Sequence, residues 1–392
     1  MNSEFSSLAY YGGQPKFKEK LYVGRPNIGN REAFLARVND MLDRRWLTNN
    51  GVFVSEFEQR VTEYLGVKHC IAICNGTIAL ELVIRATGLK GEVIIPSFTF
   101  IATAHALQWQ EITPVFCDID PNTHTIDPDK IEQMITPRTT GIIGVHVWGQ
   151  ACDVQKLTDI AKRHNLKLLY DASHAFGCST EGQMIGNFGE AEVFSFHATK
   201  FINCFEGGMI ATNDDELNKK LRLMKNFGFS GYDNVIYLGT NGKMSEISAA
   251  MGITSLESID EFIAVNRRNY YAYQEGLKGL PGIQLFSLDE TNKQNYQYIV
   301  VEVDEARAGI SRDLLVKILH AENVIARRYF YPGCHRMEPY RSYFPHAGLL
   351  LPETEKLTEK ILILPTGTSI SEDMINKICE IIKLAIASQQ IN

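Results

Sequence analysis

The stretch from Leu166 to Gly208, LKLLYDASHAFGCSTEGQMIGNFGEAEVFSFHATKFINCFEGG, constrains the fold more than any other. An apolar run from Leu166 to Tyr170 reads as a strand and stops at an acid, Asp171, with His174 three residues on. A second β-rich run, Val193–Phe196, leads into His197-Ala198-Thr199-Lys200, and the loop closes on Glu206-Gly207-Gly208. An acid at one strand end and a lysine just past the next share one edge of a sheet. Open α/β sheets bind ligands at that edge, outside the carboxyl ends of their strands. An Asp to face a pyridinium nitrogen and a Lys to form a Schiff base are the two residues that pyridoxal 5′-phosphate (PLP) most needs.

The preceding sequence alternates in a way that builds such a sheet. Strand-like runs at HCIAIC, EVIIPS, PVFCDID and GIIGVHVWG are separated by helical patterns at IALELVIRATGL, IATAHALQW, Pro128–Ile135 and DVQKLTDIAKRHN. That alternation predicts a largely parallel sheet. No GxGxxG follows an early strand, which argues against a dinucleotide site. The first strand instead enters its helix through Asn75-Gly76-Thr77. Free backbone N–H groups and a hydroxyl at a helix N-terminus suit a phosphate, although Asn and Thr are also ordinary caps. Pro96 ends the next strand, and the aromatic Phe100 that follows can stack on a flat ligand or join the core.

At 392 residues the chain is too long for one ordinary core. The expected division is 1–250, an arm plus the large domain, and 251–392, a bridging helix plus a smaller α+β domain containing the strand IVVEV (299–303). Residues 1–30 have no clear periodicity and read as an arm across another surface. Residues 226–243 are polar, aromatic and Gly-rich, and suit a functional loop. A net charge of −7 without a basic block argues against nucleic acid or an anionic membrane as the main partner. No signal-peptide pattern opens the sequence and no apolar run reaches membrane-spanning length, so a cytoplasmic location is expected. The eight scattered cysteines read as reduced, mostly buried thiols. His146, His174 and His197 come from separate elements without ligand spacing, so no metal is expected.

The chain resembles the DegT/DnrJ/EryC1/StrS aminotransferases, PLP enzymes that aminate keto groups on nucleotide-linked sugars. The resemblance covers nearly the whole sequence. It is carried by NGTIAL (75–80), PSFTFIATA (96–104), DASHAFG (171–177), SFHATK (195–200), EGG (206–208), GTNGKMSEISAAMG (239–252) and RRYFYPGCH (327–335). It implies an α/β chain with the type I PLP aminotransferase fold, in which a large domain with a mainly parallel mixed sheet precedes a smaller α+β domain. It also implies a homodimer with shared active sites. Lys200 becomes the Schiff-base residue that later moves the proton, and Asp171 the partner of the pyridinium nitrogen. His174, where many members have Gln, faces the phenolic oxygen. Phe100 covers a ring face, Gly76, Thr77 and Ser195 hold the phosphate, and Asn241 reaches it from the neighbouring subunit. His335 and its surroundings, with Tyr329, face the sugar nucleotide, and Arg327 and Arg328 are candidates for its pyrophosphate.

The stretch from Arg327 to Arg341 and LPTGTSI (364–370) are similar to members that aminate C-4 of dTDP-4-keto-6-deoxy-D-glucose with L-glutamate as donor. Amination at C-3 by the same machinery is the nearest rival. A dehydratase of the same fold carries His in place of the lysine, so Lys200 argues against it. A ligand-binding regulator on the same fold is the remaining alternative.

Overall fold

The computed structural model describes residues 7–389, so residues 1–6 of the expected arm lie outside the described residues. The strands in chain order are β1 (Leu21–Tyr22), β2 (His69–Ile73), β3 (Glu92–Pro96), β4 (Thr113–Cys117), β5 (Thr139–Val145), β6 (Lys167–Asp171), β7 (Ser179–Thr180), β8 (Gln183–Met184), β9 (Ala191–Ser195), β10 (Gly208–Thr212), β11 (Ile283–Leu285), β12 (Ile299–Val303), β13 (Val324–Ile325) and β14 (Ile361–Leu364). Seven of them form the large sheet, in the order β2-β10-β9-β6-β5-β3-β4. β10 runs antiparallel to β2 and β9, and the other pairings are parallel. A mixed and mostly parallel sheet is thus followed by a three-stranded antiparallel sheet, β11-β12-β14, as the resemblance implied.

The local sequence explains the elements around the large sheet. Helices α1 (Arg31–Arg44), α2 (Val52–Leu65), α3 (Gly76–Ala86), α4 (Ile101–Gln108), α5 (Pro128–Ile131) and α6 (Val154–Arg163) precede or cross between its strands. Strands covered on both faces read as continuous apolar runs, and Leu168, Leu169 and Tyr170 of β6 are all buried. Asp153 caps α6 by accepting from the Lys156 N–H. Its buried Val154, Leu157, Ile160 and Ala161 fall on one helical face. Past β10 come α7 (Asp215–Met224), the irregular 226–243 segment, α8 (Glu246–Glu257) and α9 (Ile259–Leu277). The long helical pattern is thus two helices in series, broken at Ser258.

Two apolar regions join the halves of the chain. Phe98, Val145 and Trp148 from the large sheet's edge pack with Phe286, Val300, Phe330 and Ile363 from the C-terminal region. The arm packs against the C-terminal region. β1 pairs parallel with β13, and Leu8, Phe17 and Leu21 join the C-terminal core with Leu315, Ile318 and Ile382. Burial of these three side chains, each worth roughly 1.5–3 kcal/mol, fixes an arm that has no regular pattern of its own.

Candidate active site

Parallel strand ends converge on one cavity of about 700 Å³. β2 delivers Asn75, Gly76 and Thr77, the turn after β3 delivers Phe100, β6 ends in Asp171, and β9 ends in Ser195 before the Lys200 loop. Gly76, Thr77, Phe100, Asp171, His174, Ser195, Lys200, Arg327 and Tyr329 all line it. Residues from both halves of the sequence therefore meet there.

The phosphate-type turn is built as a helix start. Asn75 is extended and its side chain accepts from the Ile78 N–H at 2.9 Å. Gly76 and Thr77 open α3, where the first N–H groups have no carbonyl one helical turn earlier. The glycine of the EGG motif that abuts this turn is sterically required. A Cβ on Gly208 would lie 2.5 Å from the Asn75 carbonyl oxygen.

Asp171 is buried and held from two sides. Thr103 Oγ1 donates to its Oδ2 at 2.8 Å and the Ser173 N–H to its Oδ1 at 3.1 Å, with Thr99 against Thr103 at 3.0 Å. Lys200 is recessed, and its Nζ donates to the Tyr298 hydroxyl at 3.4 Å. Burial pushes the Lys200 amine down to about 8, against the opposing pull of Asp171 and Tyr329. His174 is held neutral, with its pKa well below the usual 6.5, first by burial and then by the charge of Lys200. Its Nδ1 accepts from the Trp148 N–H at 3.3 Å, so the neutral ring carries its proton on Nε2. Trp148 and Phe330 stack on that ring at 18° and 13°. At the mouth, Phe100 is 58% exposed.

Three expected site residues lie outside this cavity, Asn241 among them, as a residue expected to act from a neighbouring subunit would. His335 does not face the cavity. It is buried, with Nδ1 on Ser97 Oγ at 2.7 Å and Nε2 on Glu355 at 2.6 Å. Both ring nitrogens are engaged and Ser97 is itself buried, so this Ser-His-Glu chain ties three segments together. Arg328 lies in an adjoining groove and is tied to Asp313 at 3.0 Å. Asn241 is exposed and outside the cavity of its own chain, bridging to Asn226.

Thr103 and Tyr298 carry the reverse lesson. Thr103 sits inside a quoted motif, one helical turn after Thr99, and that spacing could have marked it. Tyr298 has no local signal and reaches Lys200 only through the fold.

The sequence pattern of the DegT/DnrJ/EryC1/StrS aminotransferase family matches residues 29–383. The chain belongs to that family. It is 37% identical over 366 residues to a dTDP-4-amino-4,6-dideoxy-D-glucose transaminase of Shigella dysenteriae, covering 93% of this chain and 99% of that one. It is 35% identical over 374 residues to a GDP-perosamine synthase of Caulobacter vibrioides, covering 92% and 96%. The crystal structure of DesI in the presence of its TDP-sugar product superposes with a TM-score of 0.95 at 48% identity, covering 99% of this chain and 98% of that one. The chain is therefore a PLP-dependent aminotransferase of a family whose members act on nucleotide-linked sugars.

The residues present fit that cofactor. A buried carboxylate, an amine of lowered pKa and a helix N-terminus with an adjacent serine surround one cavity. Its volume is in the range of small-molecule sites, roughly 300–1,000 Å³. Among the described residues no group of three His, Cys, Asp or Glu side chains is placed to hold a metal, and no helix is long and apolar enough to cross a membrane. All eight cysteines are unpaired, and all but Cys74 are buried.

Proposed function

We propose that this protein transfers the amino group of L-glutamate to C-4 of dTDP-4-keto-6-deoxy-D-glucose, giving dTDP-4-amino-4,6-dideoxy-D-glucose. One observation carries the choice of sugar. Of the three relatives above, the two of highest identity are DesI, whose structure holds its TDP-sugar product, at 48%, and a dTDP-sugar transaminase, at 37%. The GDP-linked reading rests on the third, at 35%.

When bound, PLP supplies an electron sink and carries the amino group from donor to acceptor. Asp171, fixed by Thr103 and the Ser173 N–H, keeps a proton on the ring nitrogen by opposite charge. Burial lowers the pKa of Lys200 to about 8, which brings its neutral amine within reach near physiological pH. Its free amine would take the proton from the substrate carbon and pass it to the cofactor rather than back to that carbon, which is what makes the exchange a transfer of the amino group. His174 would be free to donate from Nε2 to the cofactor's phenolic oxygen, because Nδ1 already accepts from Trp148. Gly76, Thr77 and Ser195 would hold the phosphate, and Phe100 would cover one ring face.

Asn241 completes the phosphate site from a second copy of the chain. Exposed apolar side chains in its loop support such a homodimer, including Val235, Ile236 and Leu238, which is 70% exposed. The unpaired cysteines support a cytoplasmic location.

The test is product analysis. Protein, L-glutamate and dTDP-4-keto-6-deoxy-D-glucose should yield an amino sugar whose new amine is at C-4 by NMR, in preference to any GDP-linked ketosugar. An amine at C-3, or faster turnover of the GDP substrate, would overturn the assignment. Mixed dimers of Asn241→Ala and Lys200→Ala subunits should regain one working site. Activity no higher than in the two homodimers would overturn the shared site.

A further inference from the structure

We propose that Arg327 is a shared anion contact for both substrates, holding the diphosphate of the nucleotide sugar in one half-reaction and a carboxylate of the amino donor in the other. This deepens the function proposed above and rests on it.

The charges lining the cavity leave few alternatives. Its basic side chains among the described residues are Lys200, His174, His197 and Arg327. Lys200 is committed to the chemistry, and His174 is buried and neutral. His197 faces Glu206 at 3.5 Å. Asp171 and Glu206 add negative charge, so an anionic substrate needs a fixed cation to enter. Arg327 is that cation.

Its surroundings differ from those of its neighbour. Arg328 is paired with Asp313 at 3.0 Å, and its guanidinium lies 4.5 Å from the Tyr331 ring centre. Arg327 has no carboxylate within ion-pair distance among the described residues, and its guanidinium lies 5.2 Å over the Tyr329 ring. Its backbone is pinned to β14 by two bonds, its N–H to the Ile363 carbonyl at 3.0 Å and the Ile363 N–H to its carbonyl at 2.7 Å. A fixed backbone, an aromatic shelf and an unpaired guanidinium make a preorganised anion contact.

The position suits two substrates. Arg327 lines both the main cavity and the adjoining groove of about 300 Å³. It stands where the reacting end of a long substrate meets the rest of it. The two substrates occupy the cavity in turn, so one guanidinium can serve both. Its planar fork matches carboxylate and phosphate oxygens alike. The loop proposed to come from a second copy contains no Lys or Arg from 226 to 242. Lys243 is engaged with Asn226 at 3.1 Å and with the Phe227 ring.

The experiment compares wild-type, Arg327→Gln and Arg327→Lys holoenzymes at one ionic strength. Calorimetry measures dTDP binding, and stopped-flow absorbance measures how the bleaching of the bound cofactor depends on L-glutamate. In Arg327→Gln both half-saturation concentrations should rise about tenfold or more, the loss of a charge-assisted contact. Arg327→Lys keeps the charge without the fork and should fall between the two. Should the Gln variant not fold, Lys against wild type decides, with weakening in both measurements expected. A variant unchanged in either measurement, or a Lys variant as weak as Gln, overturns the inference. Wild type that neither binds dTDP nor is bleached by L-glutamate overturns the function proposed above together with this inference. Wild type that does both, beside an unaffected variant, overturns this inference alone.

Discussion

The two ends of the cavity are built differently. The cofactor end consists of strand termini and a helix start, with short side chains and a buried carboxylate held by hydroxyl and backbone donors. The mouth carries exposed guanidiniums, with both Arg327 and Arg328 in solvent, and Phe100, proposed to cover the cofactor, borders it at 58% exposed. The framework thus fixes the groups that do the chemistry, while the groups proposed to choose a sugar stand at the exposed rim, Arg327 on a backbone tied to β14. Changes at the cofactor end should therefore strike turnover, and changes at the mouth should strike substrate affinity.

The largest effect expected at the cofactor end is that of Lys200→Ala. It removes both the covalent attachment and the proton shuttle, so steady-state turnover should fall roughly 10⁴-fold or more. Residual turnover within about tenfold of wild type would place the proton carrier elsewhere.

Next comes the Asp171 support. Asp171→Asn should lower kcat by roughly 10²-fold or more, since it removes the charge that keeps the ring nitrogen protonated. Thr103→Val, which removes one donor to that carboxylate, should cost about tenfold in kcat with KM for the sugar nearly unchanged. A Thr103 variant altered only in KM would blur the division between the two ends.

The smallest effect concerns stability. His174 stays neutral in the folded protein at pH values where the unfolded chain takes up a proton, below about 6.5. The unfolded state then binds more protons, so stability falls as pH drops from 6.5 toward the lower folded value. The slope from this group is at most about 1.4 kcal/mol per pH unit. In His174→Gln the decline between pH 6.5 and 5, measured by urea unfolding, should be shallower. An unchanged slope would mean that His174 is not held neutral.

How much of this was legible in the sequence follows the same division. Asp171 and Lys200 could be read because strand ends in an alternating chain must share an edge, and β6 and β9 are in fact parallel neighbours. Asn75-Gly76-Thr77 could be read because a helix start is a local event. Tyr298 could not, since it contacts Lys200 across 98 positions of sequence. His335 lies close in sequence to the mouth residues Arg327 and Tyr329, yet the chain turns it inward onto Ser97 and Glu355. The arm shows no periodicity, because its few buried side chains are placed by the C-terminal core they fill.

In the proposed function one cavity takes an amino group from L-glutamate and gives it to a dTDP-linked keto sugar. The absorbance of the purified wild-type protein tests this most directly. The protein should be yellow, L-glutamate should bleach it, and dTDP-4-keto-6-deoxy-D-glucose added after removal of the glutamate should restore the colour. A protein that binds no PLP, or that bleaches and is not restored by the keto sugar, would contradict the account.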